Sequence, residues 1–188
     1  YESGSQITII KILNATPGIW TISVYGEYVV DSEYHMWLPM TGFVAPNVKF
    51  LSPNPNYTLT VPGTAGIPIT CGGYDSQNIV YEDTSLGPTR LKVQKPDLVA
   101  PCVNVAGIYS GGPATMTGTS VAAAITTGAS VLMLQWGIVY GKDLYLSTIT
   151  IKPYLRRGAT RFPDIQYPNF SWGYGLLNLI NTFEAMME

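Results

Sequence analysis

The residues best suited to chemistry are Gly118-Thr119-Ser120, which open a helical pattern. Ser and Thr are favoured helix N-caps, and most serines at such a place do nothing else. Here, however, the small residues Val121, Ala122, Ala123 and Ala124 follow directly and let the helix pack closely. The Gly- and Thr-rich sequence before Ser120 suits an exposed, tightly turned nucleophile. A hydroxyl at a helix N-terminus also sits beside positive potential and free N–H groups, which stabilise a developing oxyanion. A serine nucleophile needs a base and an acid to orient it. The chain has one histidine, His35, inside Glu33-Tyr34-His35-Met36-Trp37. Alternation places it on one strand face with Trp37, as a surface or rim residue. Cys71 and Cys102 have neither a CxxC partner nor the extra His and Cys of a zinc site, and both read as small buried thiols.

The elements that must position Ser120 change character along the chain. In residues 1–61 the alternations Ile7–Ile12 and Trp20–Tyr25, separated by Thr16-Pro17-Gly18, predict antiparallel strands. Further strands are expected at 34–38 and 57–61, parted by Ser52-Pro53-Asn54-Pro55-Asn56, which cannot continue a ladder. Four strands with open edges need a second sheet, so 1–61 is expected to be part of a β-sandwich. From residue 62 the pattern is α/β. Ile67–Thr70 and Leu98–Ala100 are short apolar runs suited to a parallel sheet buried on both faces. Helices are expected over 120–136, stopped by Gly137, over 146–157, with Pro153 as a kink or boundary, and over 176–187.

Composition narrows the classes. Charged residues make up 12% of 188, half the usual share, while the apolar fraction of 46% is ordinary. A net charge of -2 with 12% aromatics excludes intrinsic disorder. Ten Lys and Arg spread thinly give no patch for a phosphate backbone, so no nucleic-acid partner is expected. Residues 121–140 are long enough to cross a bilayer. Thr126, Thr127, Ser130, Gln135 and a mid-run Gly128 favour instead a helix buried in protein, and no membrane partner is expected. Tyr1 starts the chain without Met or a basic leader, so the start reads as a cut end.

The blocks around Ser120 carry a resemblance. Gly118-Thr119-Ser120-Val121-Ala122-Ala123-Ala124 resembles the nucleophile motif of the subtilisin-like serine proteases. Ser85-Leu86-Gly87-Pro88-Thr89 resembles that family's SRGPT block, and Lys95-Pro96-Asp97-Leu98-Val99-Ala100-Pro101 its KPDIVAPG block. Trp172-Gly173-Tyr174-Gly175-Leu176-Leu177-Asn178 resembles the segment that closes the catalytic domain. The four occur in the family's order across 62–188. The strand-rich first part, with Trp37-Leu38-Pro39, is similar to the jelly-roll insertion of the clostridial germination-protease branch. Ala124 and Ile125 stand where the family usually has Pro and His, and Cys102 where Gly is common.

The resemblance implies an α/β fold: the C-terminal part of a subtilisin-like parallel-sheet domain (62–188), preceded by part of an antiparallel β-sandwich or jelly-roll insertion (1–61). It implies a serine endopeptidase with nucleophile Ser120, whose own N–H is one oxyanion donor. The Asp and His motifs and the oxyanion Asn precede the insertion in that branch, so they are expected on an upstream segment of the same protease, the partner of this chain. Without that segment the chain is expected to be inactive and to be poorly soluble or self-associate. Gly63 and Gly66 are expected to line a substrate pocket, with Gly118 and Thr119 also substrate-binding, and peptide or protein as substrate. No carboxylate cluster has the spacing of a calcium loop, so neither metal nor cofactor is expected. An extracellular, cell-surface or spore-associated bacterial setting fits the branch. Two other readings are a pseudoprotease acting as a binding or signalling partner, and a carbohydrate- or protein-binding β-sandwich built on Trp20, Tyr25, Tyr28, Tyr34 and Trp37.

Overall fold

The computed structural model describes residues 7–29, 33–39 and 42–187, in two units, Tyr1–Lys49 and Phe50–Glu188. The division falls ahead of the composition change at residue 62.

In the first unit no strand forms among the described residues, although alternation predicts three there; the expected 57–61 strand is also absent. Ile9 is 89% and Tyr25 90% exposed. Alternation records which side chains would be buried under a second sheet, but a strand exists only through its partner's hydrogen bonds. The turn signals are realised nonetheless. Gly18 takes φ 149°, and the Trp20 indole donates to the Thr16 carbonyl at 3.1 Å. The Pro- and Asn-rich stretch also turns: Asn54 Oδ1 accepts from Asn56 N at 2.9 Å.

The second unit is built on a parallel pair, β1 (Cys71–Tyr74) and β2 (Leu98–Pro101), in register from Cys71 opposite Leu98 to Tyr74 opposite Pro101. The first strand lies after the apolar run 67–70, which leads into it. Leu98, Val99 and Ala100 have no exposed surface, as a strand covered on both faces requires. On its other edge Val99 bridges Leu176 in parallel, with Val99 N to Gly175 O at 3.0 Å and Leu177 N to Val99 O at 2.8 Å. After β2 an antiparallel hairpin, β3 (Val105–Tyr109) and β4 (Gly112–Met116), leads into helix α1 (Thr119–Leu134).

Val121, Ala122, Thr126, Ala129 and Met133 form the buried face of α1, the 3.6-residue stripe of a helix laid on a sheet. Ala122 meets Ala100 and Cys102. Met133 joins Leu98, Leu146, Ile151 and Leu155 in the main core. The helix does not stop at Gly137. It widens into a π-helical turn, Gln135–Val139, and the left-handed residue is Gly141 at φ 67°. Gly137 is instead a packing glycine: a Cβ there would lie 2.9 Å from the Asp143 carbonyl. Helix α2 (Thr148–Gly158) contains Pro153 in its interior, and α3 (Leu179–Met187) packs on α2.

Thr119–Val139 is long and apolar enough to cross a membrane, by length and composition alone. The hydroxyls expected to argue against this bond the helix's own backbone, Thr126 to Ala122 O at 2.9 Å, Thr127 to Ala123 O at 2.8 Å and Ser130 to Thr126 O at 2.8 Å. Their polarity is thereby silenced, and the core-helix reading rests instead on the burial of Met133 and Ala122 against the sheet.

Candidate active site

Ser120 stands at the second position of α1, exposed to solvent. Its approach is fixed by the hairpin. The chain leaves β2 at Cys102, makes the β3–β4 excursion, and returns so that Gly118 N donates to Cys102 O at 2.8 Å. Thr117 Oγ1 accepts from Asn104 N at 2.9 Å and closes the same neck. Ser120 is thus delivered to the C-terminal end of β2, whose first three residues are fully buried.

Gly118 is the N-cap residue, at φ 145° and ψ 155°, with no side-chain cap. A β-carbon is disfavoured at that φ. Because glycine caps the helix, Ser120 is not consumed as a cap, which was its commonplace explanation. Val121 N already donates to Gly118 O at 2.9 Å. The amides of Thr119 and Ser120 are among the first-turn donors that an α-helix leaves without an intrahelical acceptor. A hydroxyl and a free N–H therefore share one helix end, where positive potential favours an oxyanion.

Gly63 and Gly66 lie elsewhere. They precede the N-terminal end of β1, while Ser120 follows the C-terminal end of β2, and a four-residue strand spans about 13 Å. Gly66 faces open space, and Gly63 O accepts from Thr70 Oγ1 at 2.6 Å. Gly118 and Thr119 adjoin Ser120 in sequence; the two loop glycines reach it only across the depth of the sheet.

What holds that loop is a charge cluster with no counterpart in the expectations above. Asp97, with no exposed surface, accepts from Lys95 Nζ at 2.7 Å, from Thr70 N at 2.7 Å and from Arg156, and lies 4.0 Å from Lys152 Nζ. Lys95 also donates to Pro68 O at 2.8 Å and Thr70 Oγ1 at 3.0 Å. The Arg156 guanidinium lies 4.5 Å from the centre of the Tyr174 ring. Three cations converge on one carboxylate, and burial pushes the Lys152 pKa down. The only sequence signal was that a charge-poor chain spends Lys95 and Asp97 beside a buried strand.

Tyr174 N donates to Asp97 O at 3.0 Å, so the blocks around residues 97 and 174 are joined in space. His35 belongs to the first unit. Its ring stacks on Trp37 at 5.4 Å between centroids, and Nε2 lies 3.6 Å from Glu33, which matches the rim reading. The thiols are buried as expected, Cys102 fully and Cys71 in part. Among the described residues no group of three or more His, Cys, Asp or Glu is placed to hold a metal ion.

A parallel strand pair covered by a glycine-capped helix, whose first turn carries an exposed serine, defines an α/β domain. The chain belongs to the subtilase family, whose model matches residues 43–175. It is 29% identical over 147 residues to the serine protease AprX of Bacillus subtilis, covering 66% of this chain and 31% of AprX. It is similar in structure to the CspB protease of Clostridium perfringens, with TM-score 0.70 and 35% identity, over 74% of this chain and 31% of that one. The prenylagaramide maturation protease PagA shares the fold, with TM-score 0.58 and 24% identity, over 69% of this chain and 46% of PagA. The chain therefore spans about a third of the length of AprX and of CspB, and the fold is subtilisin-like.

Proposed function

We propose that this chain is the C-terminal part of a subtilisin-like serine endopeptidase and that Ser120 is its nucleophile. The observation that carries the reading is the glycine-capped start of α1, which leaves the Ser120 hydroxyl uncommitted beside its own amide. In the reaction Ser120 Oγ attacks a peptide carbonyl while a histidine takes its proton. The carbonyl oxygen becomes an oxyanion that the Ser120 N–H helps to hold. The histidine then protonates the leaving amine, and water releases the acyl group. The chain's single histidine stacks on Trp37. On the motif order that the resemblance implies, the catalytic His, its Asp and the oxyanion Asn are assigned to an upstream segment, which is the partner of this chain.

Residues 1–61 supply part of a jelly-roll insertion whose strands form when their partner strands are present. Gly118 and Thr119 border the scissile bond, and Gly63 and Gly66 line the far end of a pocket for the side chain before it. The acyl transfer needs no cofactor. The test is Ser120→Ala in the complete protease. Hydrolysis of a peptide substrate is expected to fall by about 10³-fold or more with KM little changed; turnover that survives the substitution assigns the chemistry to another residue.

A further inference from the structure

Lys152 reaches from α2 into the charge cluster, with only 8% of its surface exposed. Its Nζ donates to the carbonyls of Gly66 and Pro68, the latter at 2.9 Å. Lys95 Nζ donates to the same Pro68 carbonyl at 2.8 Å. Two ammonium groups thus share one acceptor, with Arg156 on the far side of Asp97 as a third cation. This arrangement carries like-charge repulsion and desolvation that a well-packed apolar side chain would not. Packing alone therefore does not explain a lysine here.

What the ammonium adds is two directed bonds onto the backbone of 63–68. That loop has few others: Ala65 N to Pro62 O at 3.0 Å, and Thr70 Oγ1 to Gly63 O. Gly66 itself is exposed and unconfined. The loop's path is set by Lys152 of α2, with Lys95 sharing the Pro68 carbonyl, more than by contacts of its own.

We propose that Lys152 is a positioning residue for a substrate-recognition loop: by holding the Gly66 and Pro68 carbonyls it fixes the course of 63–68 and so the size of side chain the pocket accepts. The proposal rests on the proteolytic reading above, with Gly63 and Gly66 facing substrate.

The experiment compares the complete protease, upstream segment included, with Lys152→Met and Lys152→Gln. Three quantities are read: kcat and KM on peptides whose residue before the scissile bond runs from Ala to Phe, the rate of Ser120 labelling by a fluorophosphonate, and amide hydrogen exchange of 63–70. Lys152→Met is expected to label like the wild type and to turn over the Ala peptide within about twofold. Its preference between Ala and Phe, read mainly in KM, should shift by about tenfold, the weight of one or two charge-assisted hydrogen bonds. Exchange in 63–70 should quicken. Lys152→Gln, which keeps N–H donors, should fall between. Unchanged preference and exchange in a folded variant overturn the proposal, as does an equal loss on every peptide with a lowered Tm. A wild type unlabelled at Ser120 overturns the proteolytic reading and this proposal with it.

Discussion

At Asp97 one fully buried carboxylate meets Lys95, Lys152 and Arg156. Removing its charge while keeping its shape leaves three cations in place without a counter-ion. Asp97→Asn is therefore expected to cost about 3–5 kcal/mol of stability, as when one partner of a buried pair is lost; denaturant unfolding measures it, and a loss under about 1 kcal/mol would mean the cations are otherwise compensated. Cys71 carries a pH signature. Burial, opposed by a hydrogen bond with Thr126, pushes its thiol pKa up to about 11. A raised thiol pKa favours the folded state while the thiol stays protonated. That contribution is intact below the ordinary thiol range and fades as pH climbs toward 11. The wild type should lose stability over that window, and Cys71→Ala should lose less; parallel curves would contradict the assignment. At this scale the start of α1 at Gly118-Thr119-Ser120 was legible because its signal is local, a Gly-Thr-Ser before small residues. The cluster was not, because Arg156 lies 59 positions from Asp97, and no local pattern records such a pairing.

Among the elements, the helices were readable to within a few residues, since a long apolar period reports the sheet beneath it. Their ends were read less well. Gly137 looks like a stop, but its lack of a side chain serves the approach of Asp143 and Leu146, and periodicity cannot distinguish these uses. The strands expected in the first unit are absent among its described residues because alternation is a property of one segment and pairing a property of two. The β1–β2 pair, by contrast, depends on a contact visible only in space. A Cβ on Gly73 would lie 2.2 Å from Cys102 Sγ and 2.8 Å from its Cβ. Cys102, which stands where the family commonly has glycine, therefore requires glycine at 73. Gly73→Ala is expected to cost about 1–3 kcal/mol by overpacking. Cys102→Gly should relieve most of that cost, giving a coupling of about 1–3 kcal/mol in a double-mutant cycle. Additive losses would show that the two sites do not share this space.

For the whole molecule, the family and the subtilisin-like fold were legible because four sequence blocks fall in order, and residues 43–175 match the family model. The family's Asp and His motifs were not read in the sequence, whose single histidine lies in the first unit and stacks on Trp37. Helix α1 presents Val131 and Leu132 about half exposed, at 56% and 49%, beside small residues Ala124, Thr127 and Gly128. The central claim is that Ser120 becomes an activated nucleophile when the upstream segment is in place. It is tested most directly by treating the native protein from its source with a fluorophosphonate, then measuring intact masses and mapping peptides. The account predicts one label, on Ser120, in a complex that contains the upstream segment; an assembled complex that stays unlabelled, or carries its label on another serine, would contradict it.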